Sequence, residues 1–102
     1  MLFIYTTCAN EKEAEKIVMA LLKTRLIGCA NWWPIKSSYW WKGKIEKDRE
    51  VALILKTQEK NFAKIKQMIK KLHSYTVPCI VAWKIDKVSK DYLKWLNSCI
   101  KI

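Results

Sequence analysis

Residues 29–57 read CANWWPIKSSYWWKGKIEKDREVALILKT, and the fold turns on how this stretch doubles back. It closes on five consecutive apolar residues, Val51–Leu55. A run so short has the length of a strand, and an unbroken apolar run is the pattern of a strand covered on both faces. Lys42-Gly43 reads as a hairpin turn. Ile35–Trp41 is extended on the ascending side, and Lys44-Ile45-Glu46 rises toward the return strand, Glu50–Lys56. Upstream, Cys29–Trp33 runs into Pro34, which cannot donate to a ladder and marks a bulge or a sheet edge.

Outward from this hairpin the chain alternates in kind. Residues 2–8, LFIYTTC, are β-branched and aromatic and predict a first strand. Asn10 opens a capping signal, with Glu13 three residues on to complete a capping box. Ala14, Ile17, Val18, Leu21 and Leu22 then recur at helical spacing, which predicts a helix over 11–25 with Gly28 past its end. Beyond the hairpin, Phe62, Ile65, Ile69 and Leu72 form the buried stripe of a second helix over about 58–72. His73–Pro78 is a loop closed by proline, Cys79–Ile85 a fourth strand, and Ser89 the cap of a last helix. That helix carries Tyr92, Leu93, Leu96, Cys99 and Ile100 as its apolar positions. The order β-α-β-β-α-β-α predicts an α+β fold, the ferredoxin-like βαββαβ with an antiparallel sheet and an additional C-terminal helix. Residues 1–102 read as one such domain, without repeats or linkers. If helices cover one face of the sheet while Val51–Leu55 is apolar on both, a second subunit must cover the other.

Composition points the same way. The chain is 51% hydrophobic with six Trp in 102 residues, more large apolar surface than so small a monomer hides. A homo-oligomer is the expectation. No segment approaches the roughly 20 apolar residues that span a bilayer. The start, MLFIYTTCANEKE, turns polar without a basic lead-in and does not read as a secretory signal, so a cytoplasmic location is expected. Cys8, Cys29, Cys79 and Cys99 are widely separated with no Cys-x-x-Cys pair, and are expected to be small buried hydrophobes. The net charge of +11 raises nucleic acid as a partner. The basic residues are nearly all dispersed lysines, the densest set being Lys60, Lys64, Lys66, Lys70 and Lys71 on the solvent side of the second helix. Arginine, the side chain suited to planar recognition of bases and phosphates, is nearly absent, so nucleic acid is not the expected partner.

Catalytic signals are sparse. Two glycines exclude a phosphate-binding glycine loop, and the single His has no nucleophile beside it in a known pattern. Glu46, Asp48 and Glu50 lie around a lysine-rich hairpin and read as members of surface ion pairs. Tyr39 and Trp41 share one face of their strand while Trp40 takes the other, which suits packing anchors at a subunit boundary.

Five separate motifs together carry a family resemblance. The string YWWKGKIEKDRE (39–50), Cys29-Ala30-Asn31, Lys56-Thr57, LHSYTVP (72–78) and the ending from Asp91 to Leu96 closely resemble the CutA family, in the same order and at the same spacings. The resemblance implies a tight trimer of ferredoxin-like subunits that acts in divalent-cation tolerance and signalling, with no enzymatic turnover. It further implies clefts between subunits lined by Cys29, Asn31, Tyr39, Trp41, Glu50, Lys56, His73 and Tyr75. Copper or another divalent metal, or a small ligand, is the implied occupant. The positions to which bacterial members' copper ligands correspond hold Tyr5, Leu72 and His73 here, so only His73 is a ligand type. Imidazole and thiolate suit copper, and His73 with Cys79 or Cys8 is the candidate substitute set.

Two readings from other classes stand beside this one. A ferredoxin-like RNA-binding module would display its aromatics on an open sheet face for base stacking. A small enzyme would use Glu50, Lys56 and His73 across a subunit cleft, with a lysine activated by burial.

Overall fold

Strand β3 (Lys44–Thr57) lies between β2 (Cys29–Trp41) and β1 (Leu2–Cys8), and β4 (Ile80–Lys84) closes the far edge in the order β2-β3-β1-β4. The computed structural model describes residues 1–101. All three strand pairings are antiparallel. Helices α1 (Glu11–Lys23), α2 (Phe62–Leu72) and α3 (Lys90–Cys99) complete the ferredoxin-like arrangement with its extra C-terminal helix. No described helix is long and apolar enough to cross a membrane.

Side chains alternate across the sheet, and the alternation divides the molecule. Leu2, Ile4, Thr6 and Cys8 of β1 and Val51, Leu53, Leu55 and Thr57 of β3 are all buried. Their apolar members form one core with Ala14, Ile17, Val18 and Leu21 of α1 and Ile65 and Ile69 of α2. The five lysines that the sequence places on the solvent side of α2 are exposed.

The opposite face is largely bare. Ala52 is fully covered, flanked in register by Thr7 and Trp33, but Ile54 is only half-buried. Trp33, Tyr39 and Trp41 of β2 and Val81 and Trp83 of β4 register on this face and are 40–50% exposed. Helix α3 reaches only one end of it, where Tyr92 meets Lys56.

Local chemistry sets the element ends. The Asn10 side chain accepts from the Glu13 N–H at 2.9 Å, and Glu13 Oε1 accepts from the Ala9 N–H at 3.2 Å, one residue before the cap. Helix α1 stops at Lys23, two residues before the expected 25, because Arg25 turns left-handed (φ 57°). The Leu26 N–H then bonds the Leu21 carbonyl at 3.1 Å and the Arg25 N–H the Leu22 carbonyl at 3.0 Å, a reversal usually made with Gly. Helix α2 begins at Phe62 instead of about 58, since Glu59–Asn61 forms a separate 3-10 turn. Buried Asn61 pins that turn through its side-chain bond to the Leu26 carbonyl at 3.1 Å. Ser89 stands at the cap of α3 without a side-chain capping bond.

The hairpin is longer and more regular than its sequence suggests. β3 runs unbroken from Lys44, and β2 passes through Pro34 in continuous register, opposite Val51, with no bulge. An edge strand needs only alternate N–H groups for its one neighbour, so proline fits there. Lys42 (φ 49°) and Gly43 (φ 78°) make the two-residue turn, both left-handed as a tight hairpin demands. Gly28 lets α3 approach: a Cβ there would meet Leu96 Cδ1 at 2.5 Å, and Leu96 is fully buried. The cysteines depart from the expectation of four buried hydrophobes. Only Cys8 is buried, Cys79 is exposed, and all four are free thiols.

One core position carries a polar group without a partner. The Thr6 hydroxyl is fully buried and unbonded among the described residues. Replacing it by a methyl keeps the shape and removes the desolvation penalty. Thr6→Val is therefore expected to stabilise the fold by about 1 kcal/mol, read as a higher urea midpoint at unchanged slope. A lower midpoint would show that the hydroxyl is satisfied in solution.

Candidate functional site

Glu50 sits where β3 leaves the projecting hairpin and enters the sheet, and it is a carboxylate only 8% exposed. On the same face, Tyr39 and Trp41 stand on β2 above it. The loop after α2 folds over this point and brings Tyr75 against the carboxylate, its hydroxyl donating to Glu50 Oε2 at 2.6 Å. Across the hairpin, the Tyr39 hydroxyl donates to Asp48. Glu50, Tyr39, Trp41 and Tyr75 line a cleft of about 650 Å³, together with Ser37, Thr7 and Cys79.

The loop is latched from beneath. Glu13 caps α1 with one oxygen and accepts from the Ser74 N–H with the other at 3.3 Å. Burial opposes the charged form of Glu13, but the hydrogen bonds from Ser74 and Ala9 hold its carboxyl below the usual range. The His73 side chain is fully buried. Its Nε2 lies 2.7 Å from the Thr7 carbonyl, which can only accept, so Nε2 carries the proton. Its Nδ1 accepts from the Tyr75 N–H at 3.0 Å. The ring is the neutral tautomer, with both nitrogens committed to backbone and its face against the Tyr75 ring at 4.6 Å. Its 3.7 Å approach to Glu13 is consequently no ion pair.

The eight residues expected to share a cleft fall into two groups. Tyr39, Trp41, Glu50 and Tyr75 line one cleft, Tyr75 and Glu50 in contact and Trp41 at its outer end, with His73 packed behind Tyr75. Cys29, Asn31 and Lys56 lie at the other end of the same face, Cys29 opposite Lys56 and Asn31 opposite Ile54. Lys56 stands six positions along β3 from Glu50, about 20 Å away. Its ammonium lies 5.6 Å from the rings of both Phe3 and Tyr92.

The acids of the hairpin differ from expectation too. None of Glu46, Asp48 and Glu50 forms an ion pair; among the described residues the one Lys–carboxylate pair is the exposed Lys84–Glu59. Asp48 and Glu50 instead accept from tyrosines, Asp48 from Tyr39 on the paired strand and Glu50 from Tyr75 on the loop after α2. The Asp48 bond, aided by the neighbouring acids, pushes the Tyr39 phenol up to about 12.

The donors do not fit a copper centre within one chain. Among the described residues no three His, Cys, Asp or Glu side chains converge to hold a metal. Both His73 nitrogens are engaged. Burial pushes the Cys8 thiol up to about 11, and partial burial with Glu50 nearby pushes that of Cys79 up. Tyr5 offers a phenol likewise raised by burial.

The family model for the CutA1 divalent ion tolerance protein matches residues 2–99. The chain belongs to that family. It is 51% identical over 96 residues to the divalent-cation tolerance protein CutA of Pyrococcus horikoshii, covering 94% of each. The crystal structure of CutA1 from that organism superposes with a TM-score of 0.96 at 48% identity, covering both chains fully. The CutA of Archaeoglobus fulgidus, described as a periplasmic divalent cation tolerance protein, gives a TM-score of 0.96 at 43% identity over 99% of this chain and 100% of that one. The CutA relatives are named for a tolerance, not for a reaction.

The Tyr75–Glu50 bond has a measurable consequence. Burial, then the bond to Glu50 and the charge of that carboxylate, raise the Tyr75 phenol well above its ordinary 10.0. The folded state therefore holds this proton more tightly than the unfolded chain does. Its contribution to stability is complete below about pH 10 and is lost as pH climbs through the raised value. Tyrosinate absorbance of the Tyr75→Phe variant should lack a late-titrating phenol, and the variant should be less stable at neutral pH. A missing phenol that titrates in the ordinary range would contradict the geometry.

Proposed function

We propose that this protein works as a homotrimer in divalent-cation tolerance, binding a divalent cation, copper foremost, or a small ligand between subunits, without catalytic turnover. Family membership across residues 2–99 carries the reading. The molecule adds two physical supports. The open sheet face presents five large side chains at 40–50% exposure, a surface that association would cover. The family residues also form two groups at opposite ends of that face, so a single cleft containing both Glu50 and Lys56 has to be built from two chains. Copper, by the same logic, needs donors from more than one subunit.

Four free thiols suit a reducing compartment, and we place the protein in the cytoplasm on that ground, although one archaeal relative is described as periplasmic. The RNA-binding reading gains from the exposed aromatics and from Phe3 and Tyr5, which β1 places on the open face. The other central strand, β3, offers only Ala52 and Ile54 where such modules also stack bases on aromatics. An enzyme using Glu50, Lys56 and His73 would need a second chain to unite them and a His73 nitrogen released from backbone.

Competition titration of chelator-stripped protein with Cu(II), beside Glu50→Gln and His73→Ala, tests the metal role. The account predicts binding below micromolar that weakens at least about tenfold in Glu50→Gln. Loss in His73→Ala alone would mean that the ring leaves its backbone partners to ligate. Absence of binding, or binding unchanged in both variants, would contradict a metal role at this cleft.

A further inference from the structure

The Glu50 cleft is a negative site in a strongly basic protein. The chain carries a net charge of +11, yet Glu50 is the one charged side chain lining the cleft. Asp48 stands just beyond, tied to Tyr39. Glu50 is only 8% exposed; one of its oxygens accepts from Tyr75, and Oε1, with no protein donor among the described residues, opens on the cleft. A mostly buried carboxylate facing a confined cleft is best matched by a positive charge on the group that enters it.

The walls specify which kind of cation. Tyr75 touches the carboxylate, and Tyr39 and then Trp41 continue the cleft wall outward along the hairpin; aromatic faces attract ammonium groups, most strongly where water is excluded. The molecule already shows this affinity: the Lys42 ammonium lies 5.9 Å from the centre of the Trp41 ring. A divalent metal asks for several oxygen, nitrogen or sulfur donors at short range, and no such group converges among the described residues. The volume of about 650 Å³ is that of a small organic ligand rather than a bare ion.

From the buried Glu50 carboxylate and the aromatic walls around it, we infer that the cleft binds an organic cation, an alkylammonium with an apolar body. Its charge pairs with Glu50 Oε1, its head lies against Tyr75, and its apolar body runs along the hairpin past Tyr39 toward Trp41. The Glu13–Ser74 and His73–Thr7 bonds position the wall that carries Tyr75. The inference rests on the reading of this cleft as the ligand site and develops its small-ligand alternative, naming that ligand as an organic cation.

Calorimetric titration of the intact protein with choline and with its neutral isostere 3,3-dimethylbutanol, at matched ionic strength, tests it. Choline should bind at least about tenfold more tightly than the isostere and should perturb tryptophan emission. Glu50→Gln keeps an acceptor for Tyr75 and removes the charge, so it should erase that difference without changing the oligomeric state. Equal affinity for the two probes, no binding of choline, or a preference that survives Glu50→Gln would overturn the inference. Cu(II) titrated in parallel separates the readings. Copper bound while choline is not sinks the organic-cation site and leaves metal tolerance standing, whereas choline bound while copper is not does the reverse for metal binding at the cleft.

Discussion

Strand β3 holds the molecule together by a single alternation. Its odd residues, Val51, Leu53, Leu55 and Thr57, meet β1 and the helices and close the core. Its even residues, from Glu46 to Lys56, face the side that no helix fully covers. A shift of register by one residue would put Glu50 into the core and Leu53 into solvent, so the core and the cleft are fixed by the same pairing. The long hairpin extends this alternation beyond the helices and carries Tyr39 and Trp41 in line with Glu50.

Only one end of that face is finished within the chain. There the loop after α2 is held by backbone contacts of His73 and by Glu13 at the start of α1, and it delivers Tyr75 to Glu50. Glu13 thereby serves both as helix cap and as loop latch, linking α1 to the site. At the other end Lys56 sits between Phe3 and Tyr92, well removed from Glu50. Between them Trp33 stays partly exposed, with Val81 and Trp83 on the opposite edge of the same face. Neither the apolar face nor the set of residues expected to share a cleft comes together in one copy, and this is the geometry on which the proposed association rests.

What the sequence reveals and what it hides follows from the range of each interaction. The Asn10 cap, the helical stripes, the Lys42-Gly43 turn and the apolar run Val51–Leu55 are local signals, and the elements they predict are present. Arg25 ends α1 early without the glycine that would announce it, and Asn61 fixes a 3-10 turn through a bond to Leu26, thirty-five residues away. Pro34 reads as an interruption until its strand is known to be an edge. For the site, period-two spacing puts Tyr39 and Trp41 on one face, and register adds Glu50. The Tyr39–Asp48 and Tyr75–Glu50 bonds and the burial of His73 against Thr7 need the fold, since nothing in an isolated His-Ser-Tyr string tells a metal ligand from a loop anchor.

The central claim is that the bare sheet face is an interface between copies of this chain. Sedimentation equilibrium of the intact protein over a range of micromolar concentrations measures it most directly. The account predicts one species of three times the 12.1 kDa chain mass, unchanged on dilution. A species of 12.1 kDa across that range would contradict it, leaving the open face and its tryptophans in water.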